Sequence, residues 1–547
     1  MHARPVADEI LAEKAIATVR NGLGKARLKN GGSKVKYMIC VDIGTTSTKA
    51  VLYDLKGNVK QSANSEYQLY QTEPEMAEED PEEILAAVIE VLQRVVQGAK
   101  LNPGELQGIS FSAAMHSLIL VDHENKLLTR AITWADNRAA KYSKELLAQG
   151  VGQQIYAHTG TPIHPMAPLS KIIWLRNEKK DLFQKAAYFI DIKTYVFYQL
   201  FHVYRMEYSL ASATGLFNIF TLDWDEQALA VAGIERSQLP KLVSPTASIQ
   251  GLAEIYCKAI GISADVPFIY GASDGVLSNL GVNAIDPGVL AVTIGTSGAV
   301  RTVLDHPVVD PQGRLFCYAL TKDKWVVGGP VNNGGIVFRW VRDQLFAPEK
   351  TPVKQLQVPT YEALTQIASE IPAGADGLLF HPYLGGERAP LWNADARGSF
   401  FGLTRQHTRA HLVRAALEGI VYNLYMVVLM IEKVSGKPTR IQATGGFAQS
   451  ELWRQILADV FEQQVTIPAS FESSCLGAAV LGMYSLKLVD SLNVVKKMVG
   501  VTHVHTPKAE NFAVYRELLP IWIRLAHAVS PEYSAIAAFQ RKHLKAK

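Results

Sequence analysis

Cysteine is scarce. Cys40, Cys257, Cys317 and Cys475 are the only four in 547 residues, and no two form a CxxC pair. That spacing excludes a disulfide framework and a zinc ribbon, and it fits a reducing cytoplasm. Long apolar runs are missing as well. No stretch approaches the roughly 18 consecutive apolar residues of a membrane span, and the start lacks the apolar core of a signal peptide. Charge of one sign is missing from the body. Residues 1–36 hold eight Lys/Arg against three Asp/Glu, which leaves 47 against 48 in the remainder, so the net +4 belongs to the leader. No basic face for nucleic acid is expected. The leader is read as a mobile extension, with a short helix over about 8–20 that ends at Asn21-Gly22. Three nucleotide-binding signatures are also absent: no GxxxxGK[ST], no Rossmann GxGxxG and no protein-kinase HRD or DFG.

The length exceeds one hydrophobic core, so at least two domains are expected. Order begins at Tyr37. YMICVD reads as a buried strand, IGTT as a turn and STKAVLYD as a second strand, with a third from Val59. A helix follows over 81–97, with Asp80 as N-cap and Pro81 at its first position. LQGISFSAA is a strand that ends at Met115-His116. Half a chain later there is an echo: VDIGTTSTKAV (41–51) resembles VTIGTSGAV (292–300), with the Ile-Gly-Thr elements 251 residues apart. Two α/β domains of related architecture with mixed sheets are therefore expected, 37–285 and 286–547, joined at NAIDPG. Long helical segments at 411–434, 450–464 and 472–486 close the second half. The last is rich in small residues, which suits close helix packing.

Small-residue turns carry the candidate chemistry. In Asp42-Ile43-Gly44-Thr45-Thr46-Ser47-Thr48-Lys49, successive N–H groups and hydroxyls can cradle a phosphate; Lys49 adds charge, and Asp42 can hold Mg²⁺. Ile294-Gly295-Thr296-Ser297-Gly298 repeats the logic without an acid. Thr444-Gly445-Gly446-Phe447 opens a helix beneath which a nucleotide can lie. Any one of them alone reads first as a hairpin turn; three together favour nucleotide binding. Asp274, in GASDGVLSNLG, sits among residues too small to crowd it. On local grounds it is either a turn aspartate or a functional acid. His503 and His505 resemble a metal pair only in spacing and are assigned to the surface.

With these residues in view, the chain resembles the FGGY family of carbohydrate kinases. MAPLSKIIWLRNE (166–178) matches the first signature of that family, and GSFFGL (398–403) followed by HLVRAALE (411–418) matches the second. SAAMHSLILVD, ITWADNRA, TGTPIHPMAPLSK and VNNGGIVFRW are closest to its gluconate-phosphorylating bacterial branch. Residues 1–36 have no counterpart there. The resemblance implies a duplicated actin-like (ribonuclease-H-like) fold with ATP in the interdomain cleft. It implies phosphorylation of the gluconate 6-hydroxyl, with Mg²⁺ near Asp42 and Asp274. Asp274 becomes the catalytic base, with Gly275 beside it at the donor phosphate. Met115, His116, Trp134, Asp136 and Arg138 become sugar residues. Gly335 and Gln449 join Gly44, Thr45, Thr46, Ser47, Lys49, Gly295, Thr296, Gly445 and Gly446 around the nucleotide. Arg138 either pairs with a substrate carboxylate or forms a salt bridge to Asp136, and His164 and Lys171 are further candidates for the acid end. Other sugars (xylulose, ribulose, glycerol) and a non-enzymatic ATP clamp or sugar sensor stay open. Homodimers are common in the family, and neither a membrane nor a nucleic-acid partner is expected.

Overall fold

The computed structural model describes residues 35–73, 75–346, 361–469 and 472–543. The leader helix expected over 8–20 lies outside them. Two mixed sheets form the body. The first is built from β1 (Tyr37–Ile43), β2 (Ser47–Asp54), β3 (Val59–Glu66), β4 (Leu106–Ala113), β5 (Ser248–Ile249) and β6 (Phe268–Ser273), in the order β5-β6-β4-β1-β2-β3. β1, β2 and β3 form an antiparallel meander, and β1 runs parallel to β4, which runs parallel to β6.

The second sheet repeats the plan. It contains β7 (Val289–Ile294), β8 (Gly298–Leu304), β9 (Phe316–Thr321), β10 (Lys324–Val331), β11 (Arg440–Thr444), β12 (Val465–Pro468) and β13 (Val501–His505). The order is β9-β10-β8-β7-β11-β12-β13. β7 turns into antiparallel β8, while β11 and β12 continue the parallel side. The Ile-Gly-Thr echo is thus the first hairpin of each sheet, the duplicated mixed-sheet architecture that the sequence pattern predicts. His503 and His505 lie on the edge strand β13; His503 is exposed, and His505 accepts a hydrogen bond from Arg454.

Helices follow their local signals. α1 (Pro81–Ala99) starts where Asp80 accepts from the Glu82 N–H and Pro81 presets the first turn, and it buries its Ile84, Val88, Val91 and Val95 stripe. α2 (Pro168–Glu178) also opens on proline. α3 (Asp274–Gly281) follows β6 directly, and α4 (Gly335–Trp340) follows β10. α5 (Arg409–Ser435) is long and apolar enough to cross a membrane by length and composition, yet most of it is buried inside the C-terminal half. α6 is Glu451–Phe461 and α7 is Ser473–Ser485.

α7 belongs to the second half of the chain but packs on β1, β4 and α3 of the first. Glycines permit the crossing. A Cβ on Gly281 would lie 1.8 Å from the Ser473 carbonyl oxygen, and one on Gly477 would lie 2.0 Å from that of Leu277. The small-residue run of α7 therefore serves backbone-to-backbone contact between the halves. Gly477→Ala is predicted to destabilise the protein by about 3 kcal/mol or more, because overpacking here meets backbone rather than a yielding side chain. Chemical or thermal unfolding measures the loss, and an unchanged midpoint would contradict the close crossing.

Candidate active site

Asp42 sits near the end of β1, and Asp274 follows β6 at the first position of α3. Only β4 separates them: Asp42 lies opposite Ser112, and Ser112 opposite Ala272. Two strand spacings, about 10 Å, carry both carboxylates to one end of the sheet. This is the C-terminal end of its parallel strands, where such sheets bind ligands. Asp274 Oδ1 accepts the Gly275 N–H at 2.6 Å. Burial pushes the Asp274 pKa up to about 6, and the charge of Asp42 adds to the rise. Gly275's N–H is thus turned onto Asp274 and not free for a donor phosphate, as the resemblance had implied.

Asp42 Oδ2 accepts from the Ser474 hydroxyl of α7 at 2.7 Å. Its Oδ1 is buried and makes no close hydrogen bond among the described residues, though the Ser112 hydroxyl bears on the carboxylate, and burial raises its pKa too. An orphaned carboxylate oxygen in the field of a second carboxylate fits a divalent cation. No group of three or more His, Cys, Asp or Glu gathers among the described residues. A cation held by Asp42 would therefore complete its shell with water and phosphate oxygens, which is how Mg²⁺ is usually bound.

The first turn is tightly braced. Gly44 N–H donates to the Ser47 carbonyl (3.0 Å), and Tyr67 donates its hydroxyl to the Gly44 carbonyl (2.5 Å) and its N–H to that of Thr46 (3.2 Å). Thr45 Oγ1 accepts from Trp134 Nε1 at 2.9 Å, which ties the turn to the Trp134 loop. Lys49 is paired with Glu472 at 2.5 Å, both side chains partly exposed.

The second and third turns meet. Gly335 N–H donates to the Gly295 carbonyl at 2.7 Å and Ile336 N–H to that of Thr296 at 3.0 Å, so α4 starts on the second turn. Gly445 has φ of 111°, and a Cβ there would lie 2.2 Å from the Ile294 carbonyl oxygen, so only glycine fits. A cavity of about 300 Å³ opens between these turns. Gly295, Thr296, Gly335, Gly446 and Gln449 line it, together with the rings of Phe338, Tyr361 and Trp453. The three aromatics escaped the sequence reading, since they come from three separate segments, each with an ordinary apolar pattern.

Beyond the first turn, β4 ends before Met115 and His116. His116 adopts φ of 68° and is held by two contacts: its Nδ1 meets the Ala213 carbonyl at 2.6 Å, and its own carbonyl accepts from Lys171 Nζ at 2.6 Å. A carbonyl only accepts, so Nδ1 carries the proton and Nε2 is left as an acceptor. Burial, with help from Lys171, pushes the His116 pKa down to about 3, and His164 is pushed to about 3 by burial and Arg388. Both rings are neutral. Lys171 Nζ also donates to the carbonyls of Ile132 and Thr133, and burial lowers its pKa to about 7. All three of its protons are spent on backbone, which corrects the expectation that Lys171 faces the acid end; it ties the His116 and Trp134 loops together.

A second correction concerns Asp136 and Arg138. Arg138 Nε donates to both Asp136 oxygens, its Nη2 pairs with Glu78 at 2.5 Å, and its guanidinium lies 4.6 Å from the Trp174 ring centroid. Asp136, wholly buried, also accepts from the N–H groups of Ala77 and Arg138. The ion-pair alternative for Arg138 is the one seen: Nε and Nη2 are spent on Asp136 and Glu78, and both oxygens of Asp136 are occupied. Trp134 is half-buried, and the Arg388 guanidinium lies over its ring, 5.2 Å from the centroid.

The chain matches the model of the FGGY family of carbohydrate kinases, N-terminal domain, over residues 37–281, and the C-terminal domain model over 290–486. It is 53% identical to the gluconokinase of Bacillus subtilis, over 92% of this chain and 98% of that protein. Two solved Lactobacillus acidophilus structures are each 41% identical and cover 92% of this chain and 100% of theirs: a gluconate kinase (TM-score 0.87) and a ligand-bound xylulose kinase (TM-score 0.88).

The cavity generates a prediction. A Cβ on Gly446 meets nothing within 4 Å, and its φ is not in the left-handed region. Gly446→Val should leave the melting temperature unchanged and weaken ATP binding by on the order of tenfold or more, through lost space alone. Titration of intrinsic Trp453 fluorescence with ATP measures it. Unchanged affinity would remove the nucleotide from this cavity.

Proposed function

The chain belongs to the FGGY family of carbohydrate kinases, and from that premise we propose that it phosphorylates D-gluconate on the 6-hydroxyl, with ATP as donor. The identity shared with the Bacillus subtilis gluconokinase over nearly the whole of both chains carries the choice of acid. The two Lactobacillus structures fit almost equally well, so overall shape alone does not separate gluconate from a neutral pentulose.

The mechanism assigns the N-terminal half, 37–285, to the sugar and the C-terminal half, 286–547, to the nucleotide. Trp134 stacks on the carbon chain, and Met115 closes one side. His116 Nε2 accepts from a sugar hydroxyl. Gly295, Thr296, Gly335, Gly445, Gly446 and Gln449 receive the nucleotide, and the Gly44–Ser47 turn lies toward its phosphates with Lys49 at its edge. Phosphoryl transfer has a loose transition state, so positioning and charge neutralisation dominate. Asp42 would hold Mg²⁺, which when bound would supply charge neutralisation for the transfer. Asp274 Oδ2 orients the 6-hydroxyl and takes its proton as the O6–phosphorus bond forms and the bond to the β-phosphate oxygen breaks. The products are 6-phosphogluconate, ADP and one proton. ATP supply sets such an enzyme in the cytoplasm.

A coupled ADP-release assay with gluconate, xylulose, ribulose and glycerol tests the substrate: turnover is expected with gluconate, and turnover confined to a neutral sugar would replace it. Asp274→Asn is expected to bind ATP normally and to lose about 10³-fold in kcat, within the range of general-base contributions. A variant that keeps a tenth of the rate would refute the base. Asp274 must be ionised to act, so kcat/KM should fall as pH drops through about 6. A profile flat down to pH 5 would contradict the raised pKa.

A further inference from the structure

Two arginines of the C-terminal half face the sugar side, and among the described residues neither forms a salt bridge. Arg301 stands in β8 opposite Gly328 of β10, where a Cβ would lie 3.0 Å from Arg301 Cγ, so the bare glycine lets its side chain pass. The guanidinium reaches α3: a Cβ on Gly275 would lie 3.4 Å from its Nη2, 3.5 Å from its Nε and 2.9 Å from Met115 Cε. Nε is buried without a partner. Burial lowers the Arg301 pKa, and the charge of Asp274 pulls it back.

Arg388 follows the glycines at 385 and 386. Its Nε donates to Asn332 Oδ1 at 2.7 Å, its Nη2 to the Val331 carbonyl at 3.3 Å, and its guanidinium lies 5.2 Å from the Trp134 ring centroid, across from the other half. Its backbone is anchored. Glu387 accepts the N–H groups of Asn332 and Arg388 and the side-chain amides of Asn333 and Asn423. Burial pushes the Arg388 pKa down to about 10, Arg301 adds repulsion, and Glu387 offsets part of it.

Two neighbouring cations withdrawn from water are costly unless an anion meets them. Asp274 and Glu387 act on them only from a distance, and among the described residues no carboxylate contacts either guanidinium, which leaves a place for the anion of a ligand. Arg388 lies on Trp134 and bears on the neutral His116 and His164, away from the glycine turns of the nucleotide cavity. That side belongs to the sugar rather than to the phosphates. Resting on the reading of the substrate as a sugar acid, we propose that Arg388 receives the substrate carboxylate. Arg301, beside Asp274, adds the second positive charge that selects an acid over a neutral sugar. The carbon chain then runs across Trp134, with its hydroxyl end at Asp274 and its acid end at Arg388. The half that binds the nucleotide also reads the acid.

The test compares gluconate with D-glucitol, the same chain with CH₂OH in place of the carboxylate, measured as substrate or as competitive inhibitor. Arg388→Met should lower kcat/KM for gluconate about 100-fold, mainly through KM, as expected for removing one partner of a buried charge pair. Glucitol should change less than about threefold, Arg388→Lys should recover part of the loss, and Arg301→Met should reduce the gluconate-to-glucitol ratio by about tenfold, since it acts at longer range. Unchanged ADP affinity checks that the variants are folded. Equal losses on both compounds, or a gluconate loss carried by kcat with KM unchanged, would overturn the assignment. Wild-type enzyme that favours glucitol or a pentulose over gluconate would instead defeat the substrate reading, and the inference with it, before any variant is made.

Discussion

Asp42 and Asp274 repel each other, and the fold holds them at one end of the N-terminal sheet. β4 spaces them, α3 begins at one, and Ser474 of α7 donates to the other. α7 reaches that position because Gly281 and Gly477 let two helix backbones touch. The constraint that sets the chemistry is therefore built by both halves of the chain. It also tunes Asp274 for the proposed role of base: burial and a like charge bring its pKa from the ordinary range up to about 6.

The region proposed for the sugar is organised by a different device. Lys171 spends its amine on three backbone carbonyls, which fixes His116 in a left-handed conformation and sets the strand before Trp134. Asp136 and Arg138 pin the same loop to Glu78 and Trp174. The most conspicuous charged residues of this region are thus scaffolding, and the surface left for a ligand is a neutral imidazole and an indole face. Positive charge enters from the opposite half, through Arg301 and Arg388.

Features confined to a short segment were legible in the sequence. The Ile-Gly-Thr echo marked both hairpins, Asp80-Pro81 marked the start of α1, and the small residues of 472–486 marked a close helix crossing. The glycine turns at Gly295 and Gly446 stood out in the sequence, and in the structure both line one cavity. Features made by distant segments were not. Phe338, Tyr361 and Trp453 meet only in the folded cavity. Arg301 reads as one polar residue in a strand, and Arg388 as one charge in a loop. Arg138 was half legible: its ion pair with Asp136, two residues away, was one of the two readings, while its second partner Glu78, 60 residues away, left no local trace.

The most direct measurement is a crystal structure with gluconate and a non-hydrolysable ATP analogue with Mg²⁺. The account predicts the 6-hydroxyl within about 3 Å of Asp274, the distance a general base requires, and the adenine among Phe338, Tyr361 and Trp453. A 6-hydroxyl held by another group, with Asp274 turned away from it, would contradict the central claim.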